Sequence, residues 1–325
     1  MKKKIKRVLA GIGALFVLLV TLVVVKFYVL SPKLRPAPVM SAPTTSEAIA
    51  RGRYLVHHVA ACVGCHSKVD ETVSGEPVVE GMLGAGRDFG DWPGSPVHIR
   101  APNLTPDKET GLGGWTDGEV ARAIREGVGK DGRNLFPQMP YLTYRETLSD
   151  GEVLDIIAYL RTLKAVKNDP GKTSVNFPIS MFIRGVPKPL ETPPPPPPSP
   201  SDKIARGKWL LRTSSCNDCH DSVNEKMQKI EGKALAGGMK FPLPDGKGYA
   251  IAPNITSDAA TGIGAYSEQD IRRALDEGKG KNGRTLYVMP WLYYKGMTSE
   301  DKDALIAALR QVPAVANVVP PSAIK

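Results

Sequence analysis

The chain has 325 residues, 42% of them hydrophobic and 23% charged, an ordinary balance for a folded, cored protein long enough for two domains. Its net charge of +10 is unevenly placed: residues 1–46 carry eight Lys or Arg and no acid, residues 47–190 carry 17 basic and 18 acidic side chains, and residues 191–325 carry 18 and 15. Phosphate-backbone recognition needs a basic face on the folded part, which is close to neutral, so no nucleic-acid partner is expected.

The chain opens with MKKKIKR, five positive charges, followed by an uncharged run over residues 8–25. As a helix those 18 residues span about 27 Å, near the thickness of a bilayer core. Lys26 can snorkel and Tyr28 suits the interface. The positive-inside bias leaves the N-terminus cytoplasmic and everything after residue 30 on the periplasmic face of the inner membrane. A cleaved signal peptide is the alternative, but no small-x-small site follows the run directly and Pro32 stands where a cut after Ser31 would fall. Residues 1–30 therefore read as a basic stub and single-pass anchor, and residues 31–46, SPKLRPAPVMSAPTTS, as a stalk.

From residue 47 the chain is written twice. IARGRYL (residues 49–55) returns as IARGKWL (204–210), APNLTPDKETGLG as APNITSDAATGIG, and GKDGRNLFPQMPYL as GKNGRTLYVMPWL, at a register of about 150 residues. Each copy predicts helices in the same order. SEAIARGRYLVHHVA and SDKIARGKWLLRTSS have apolar residues at helix spacing, with Gly52 and Gly207 allowing close approach of another helix. TDGEVARAIREG and SEQDIRRALDEG open on capping boxes, Thr116 with Glu119 and Ser267 with Asp270, and stop at Gly127 and Gly278. SDGEVLDIIAYLRTL and TSEDKDALIAALRQ close the copies with further amphipathic helices. The long Gly- and Pro-rich loops between them call for an internal partner. The expected domains are residues 47–190 and 202–325. Between them residues 191–201, ETPPPPPPSPS, form a semi-rigid polyproline spacer of about 3.1 Å per residue.

ACVGCHS and SCNDCHD place Cys62, Cys65 and His66, and again Cys216, Cys219 and His220, within five residues, in a chain with four cysteines in all. CxxCH is the attachment signature of c-type haem: two thiols a helical turn apart add to the porphyrin vinyl groups while the adjacent histidine ligates iron. A zinc ribbon would pair its CxxC halves at roughly 15–20 residues, far closer than here. A thioredoxin-like pair needs a βαβ context, and a CxxC disulfide crosslinks almost nothing. Two covalently bound haems c are the expected cofactors.

The two CxxCH motifs, each followed by a Met-Pro loop and a terminal helix, resemble class I cytochrome c domains over nearly all of residues 47–325. The stretch APNLTPD…TGLGGWTDGEVARAIREGVGKDGR is similar more particularly to the cytochrome subunits of membrane-bound periplasmic dehydrogenases for alcohols, aldehydes or sugar acids. Those subunits usually carry three CxxCH motifs and a C-terminal membrane attachment, whereas this chain has two and an N-terminal apolar run. The resemblance implies an all-α fold of two tandem class I cytochrome c domains after a transmembrane helix. It also implies axial thioethers from Met139 and Met289, which lie at equivalent places before Pro140 and Pro290. Met82 and Met239, which also repeat approximately, are the competing pair. His57, His58 and His98 have no histidine counterparts in the second copy and read as satisfied surface or core imidazoles. Asn103 and Asn254, with Thr105 and Thr256, read as haem-lining residues that bond the propionates.

Iron closed by His and Met moves electrons rather than performing bond chemistry. The expected function is a membrane-anchored dihaem cytochrome c that relays electrons between a periplasmic dehydrogenase or quinol-oxidising complex and a terminal oxidase or soluble cytochrome. It is an electron carrier with no catalytic residues of its own. A dihaem enzyme, such as a peroxidase or sulfur-compound dehydrogenase, is the alternative reading. It would need one iron with a vacant or displaceable sixth site.

Overall fold

The computed structural model describes residues 2–324 apart from 33, 74, 92–94, 226, 244, 245 and 247. Helix α1, Lys2–Val24, runs into a π-helical turn, Val25–Val29. Together they are long and apolar enough to cross a membrane, and none of their residues is buried against the rest of the protein.

The first half then folds in the order α2 (Ser46–Tyr54), α3 (Cys62–Cys65), β1 (Arg87–Asp91), β2 (Val97–Ala101), α4 (Asp117–Glu126), α5 (Tyr141–Thr147), α6 (Asp150–Arg161), β3 (Ser174–Val175) and α7 (Ile179–Ile183). The second half repeats the order from α2 to β3 as α8 (Lys203–Thr213), α9 (Cys216–His220), β4 (Lys240–Pro242), β5 (Gly248–Ile251), α10 (Glu268–Glu277), α11 (Trp291–Tyr294), α12 (Ser299–Arg310) and β6 (Ala323–Ile324). Local chemistry sets the helix limits where the sequence places them. Thr116 and Ser267 complete reciprocal capping boxes with Glu119 and Asp270, and α4 and α10 stop at Gly127 and Gly278, both in the left-handed region at φ 70° and 62°.

The expected all-α fold needs correction, because each half carries an antiparallel three-stranded sheet, β1-β2-β3 and β4-β5-β6. In β2 the side chains alternate, with Val97, Ile99 and Ala101 buried and His98 and Arg100 half-exposed, a period of two that a helix cannot bury on one face. One further difference between the halves is written in the spacing. Ile49 precedes Cys62 by 13 positions and Ile204 precedes Cys216 by 12. The extra residue is taken up in a π-helical turn, Leu55–Val59, between α2 and α3.

Within each half the first helix crosses a later long one, α6 or α12, at a glycine. A Cβ on Gly52 would overlap the carbonyl oxygen of Asp155 in α6, and one on Gly207 that of Ala304 in α12. The halves are not strung apart on the proline-rich segment. Val56, Tyr144 and Ile156 belong to the same continuous core as Trp209, Tyr294 and Leu305. Polar bonds cross between the halves as well. The Trp209 indole donates to the Thr147 carbonyl at 2.7 Å, the Tyr54 hydroxyl to Asp301 at 2.7 Å, and Arg212 pairs with Glu146.

The residues read as a stalk lie along α4. Arg35 pairs with the buried Glu126 and its carbonyl accepts from Arg122 at 3.0 Å. The amide of Ala42 donates to Asp117 at 2.8 Å, and the Pro38 carbonyl passes over Gly118 where a side chain would collide.

Candidate functional site

The paired thiols sit on α3 and α9, one helical turn apart, so each pair projects from one face. Each short helix starts abruptly, after a residue in the left-handed region: Ala61 at φ 48° and Ser215 at φ 57°. The carbonyls exposed by this break are claimed by buried tyrosines. Tyr144 donates to Ala60 O at 3.1 Å and Tyr294 to Ser214 O at 2.7 Å. Each tyrosine thus fixes the direction in which a cysteine pair is presented.

His66 and His220 follow at the helix ends. The Nδ1 of His66 lies 2.7 Å from the Pro102 carbonyl, and that of His220 2.9 Å from the Pro253 carbonyl. A carbonyl can only accept, so Nδ1 carries the proton and Nε2 keeps its lone pair for a ligand. Burial holds both imidazoles below the ordinary histidine range and therefore neutral at pH 7. A neutral, ring-locked imidazole with a free Nε2 is prepared to bind a metal.

All four cysteines are free thiols. Burial pushes Cys62 and Cys216 up to about 12 and Cys219 up to about 11, so each is protonated at neutral pH. Cys65 has an exposed surface, yet burial raises its thiol too. Cys65 and Cys219 are near enough that ionising one would raise the other, and Tyr144 and Tyr294 lie in the same neighbourhood. Gly64, between Cys62 and Cys65, lies against the Tyr293 ring of the second half, so the first motif borders the contact between the halves.

Met139 and Met289 are partly buried against the common core, as are Cys62 and Cys216. Each methionine carbonyl accepts from the amide two residues on, Tyr141 or Trp291, at 2.8 Å, which closes the loop before α5 or α11. These two short helices intervene between the methionine loops and the last helices. Met82 and Met239 lie in the turn region after each CxxCH motif, and Met82 donates its amide to Val79 O at 3.0 Å.

Two features suit these sites to a large, partly polar cofactor. The Tyr141 hydroxyl and the Trp291 indole N–H are buried at equivalent positions and, among the described residues, have no hydrogen-bond partner, a pair of donors open to an acceptor from outside the polypeptide. Cys65 is exposed and open to attachment. Residues of this kind fit a haem with its acidic edge. Sequence reading passed over Tyr141 and Trp291, although an aromatic after Met-Pro in both copies was the available signal. It also passed over the Pro102 and Pro253 carbonyls, for which the repeated Ala-Pro-Asn was the signal.

Other expectations are corrected. Asn103 spends its amide protons on Val166 O at 2.7 Å and Thr110 Oγ1 at 3.0 Å, and its Oδ1 accepts from Thr105 N and Oγ1 at 2.9 and 2.8 Å. Asn254 makes the same set with Val315, Thr261 and Thr256. With their hydrogen-bonding capacity spent and 1% and 3% exposure, these residues tie the chain just after Pro102 and Pro253 to residues 166 and 315 and have no bond to spare for a propionate. His98 is satisfied as expected, with its ring nitrogens on Asp91 and Asp88, both at 2.7 Å. His57 bonds Tyr159 at 2.6 Å and His58 bonds Tyr293 O at 2.9 Å, satisfied as expected.

Residues 49–164, which carry Cys62, Cys65, His66 and Met139, match the Cytochrome c family. This region is a cytochrome c domain. The chain resembles the fructose dehydrogenase cytochrome subunit of Gluconobacter japonicus, with 29% identity over 87% of this chain and 57% of the relative. It is 30% identical to the cytochrome c subunit of the quinone alcohol dehydrogenase of Gluconobacter oxydans, over 71% of this chain and 47% of the relative. A diheme cytochrome c-type protein of Cereibacter sphaeroides is 27% identical over 86% of this chain and 90% of its own length. The chain spans about half the length of the two dehydrogenase subunits. These relatives are named as cytochromes or cytochrome subunits, not as catalytic subunits. A cytochrome c domain implies covalently bound haem c.

Proposed function

We propose that the chain is a membrane-anchored dihaem cytochrome c, built of two tandem class I domains. In this reading it relays electrons on the periplasmic side between a dehydrogenase or quinol-oxidising complex and a terminal oxidase or soluble cytochrome. The observation that carries the reading is the repetition of one constellation: free paired thiols on a helical turn, and beside them a buried neutral histidine whose Nδ1 is tied to a proline carbonyl. The names of the dehydrogenase subunits support a dehydrogenase as the donor, and α1 supports single-pass anchoring in the inner membrane.

In this reading Cys62 and Cys65 would hold one haem covalently and Cys216 and Cys219 the other, with His66 and Met139, and His220 and Met289, as the residues that would ligate iron. Haem c bound there supplies a one-electron couple without an open coordination position. The polypeptide's part is to hold the imidazole rings, exclude water and fix the two sites relative to each other through the common core.

The test is haem stoichiometry and ligation in the full chain matured with the haem-attachment machinery. Two haems per chain by pyridine haemochrome, a mass gain of two macrocycles, and a methionine charge-transfer band from both irons are expected. One haem per chain would refute the dihaem relay. A haem that binds cyanide rapidly at rest would move the assignment to an enzyme.

A further inference from the structure

Between β3 and the proline-rich segment lies an apolar element unexplained by the haem sites. Residues 173–183, TSVNFPISMFI, carry no charge and are flanked by Lys172 and Arg184. Phe177 is 73% exposed and Phe182 56%, and α7 buries none of its residues. Its position is defined by contact with the end of the apolar N-terminal helix. The Phe182 ring packs edge-on against Phe27 at 5.6 Å. Arg184 donates from Nε to the Phe27 carbonyl at 2.9 Å, and its guanidinium lies 5.1 Å from the centre of the Tyr28 ring.

We infer that residues 177–183 are a second membrane contact, a foot that enters the outer leaflet beside α1 and fixes the orientation of the first haem site to the bilayer. The inference rests on the reading of α1 as a membrane span. Phe27 and Tyr28 come just after the uncharged run of residues 8–25 and the charged Lys26 that ends it, so they stand where hydrocarbon meets headgroups. Whatever packs on them shares that depth. An exposed pair of phenylalanines there would face acyl chains, with Lys26 and Arg184, which lie against Phe27 and Tyr28, at headgroup depth.

The foot is mounted on the haem site through little intervening chain. Asn176 donates to Pro96 O at 3.0 Å, and β3 pairs with β2 through Val97–Val175 and His98–Ser174. Strand β2 ends at Ala101, and the next residue, Pro102, holds the His66 ring. The strap along α4, from Arg35 to Ala42, adds a second tie between anchor and domain.

The experiment uses the full, haem-loaded chain in nanodiscs of phosphatidylethanolamine and phosphatidylglycerol. Haem attachment consumes the native cysteines, so a nitroxide can be placed singly by Phe177→Cys, Leu15→Cys or Val318→Cys. Leu15 reports the middle of α1, and Val318, 84% exposed, is a solvent reference in the second half. Collision with oxygen is compared with collision with a water-soluble nickel chelate, and the visible spectrum confirms that each variant is folded. The label at 177 should follow that at 15, with an oxygen-to-nickel ratio several-fold above that at 318. A label at 177 that matches 318 while 15 remains in lipid overturns the foot and leaves the anchor. Water access at 15 overturns both. If the apolar face instead served a partner subunit, it would stay in water in these discs, which is the first refuting outcome.

Discussion

Replacing Gly52 by Ala tests the helix crossing within the cytochrome c domain of the first half, and the sign of the effect decides it. In an ordinary helix interior this change stabilises by about 0.5–1 kcal/mol, through propensity and the loss of unfolded-state freedom. Here the new methyl would overlap the Asp155 carbonyl oxygen and sit 3.0 Å from Tyr159 Cβ. Backbone cannot rotate away as a side-chain tip can, so α2 and α6 must part, at the upper end of the roughly 1–3 kcal/mol typical of overpacking. The net expectation is a loss of about 2 kcal/mol, or roughly 4–8 °C in Tm for a body of this size. Gly151→Ala is the control, since its methyl would meet only Ser149 Oγ at 3.5 Å, an ordinary contact. Guanidinium and thermal unfolding of the full chain in detergent, followed by haem absorbance, measure both. A Gly52→Ala protein as stable as Gly151→Ala would show that the helices do not cross as closely as described.

Three further outcomes are expected. Burial, with help from the nearby charges of His58 and Arg53, pushes His57 down to about 4, while the unfolded chain titrates near 6.5. The unfolded chain therefore binds a proton that the fold refuses between those values, so stability falls as pH drops from about 6.5 to 4 and is level above that window. After allowance for the ring's partial exposure the loss is about 1–2 kcal/mol, and His57→Gln should flatten the slope in acid-unfolding curves. Trp209→Phe leaves the buried Thr147 carbonyl without its donor at the contact between halves. It should cost about 1–3 kcal/mol by denaturant titration without changing haem content. Met139→Ala should keep two haems per chain but open one iron to cyanide and lower its potential, whereas Met82→Ala should leave both spectra unchanged.

The cofactor site was legible where its chemistry is local. Paired thiols and the following histidine need a single turn of chain, and capping boxes need four residues, so both can be read without the fold. Pro102 and Pro253 could not be assigned, because a carbonyl has no side-chain signature and its partner lies 36 or 33 positions away. Asn103 and Asn254 misled for a related reason. Their repetition marked a constraint, but only the distant Val166 and Val315 carbonyls show it to be a brace. The sheets escaped because Val97, Ile99 and Ala101 give just three inward positions, too short a pattern to stand out from loop.

The common core changes what the proline-rich segment can do. A spacer between independent domains sets how often two haem edges meet, and its length would then govern transfer between them. Here Trp209 is buried and bonded into the first half and Tyr54 is bonded into the second, so the separation is fixed by packing. A protease site introduced within residues 191–201 and then cut should leave the halves co-eluting, with the distribution of electrons between the haems unaltered after partial reduction. Separation of the fragments, or slower equilibration between the haems, would mean that the tether holds the relay together. Retention of both would assign that work to the contact between α2, α5, α8 and α12, leaving the prolines to carry the chain from one half to the other.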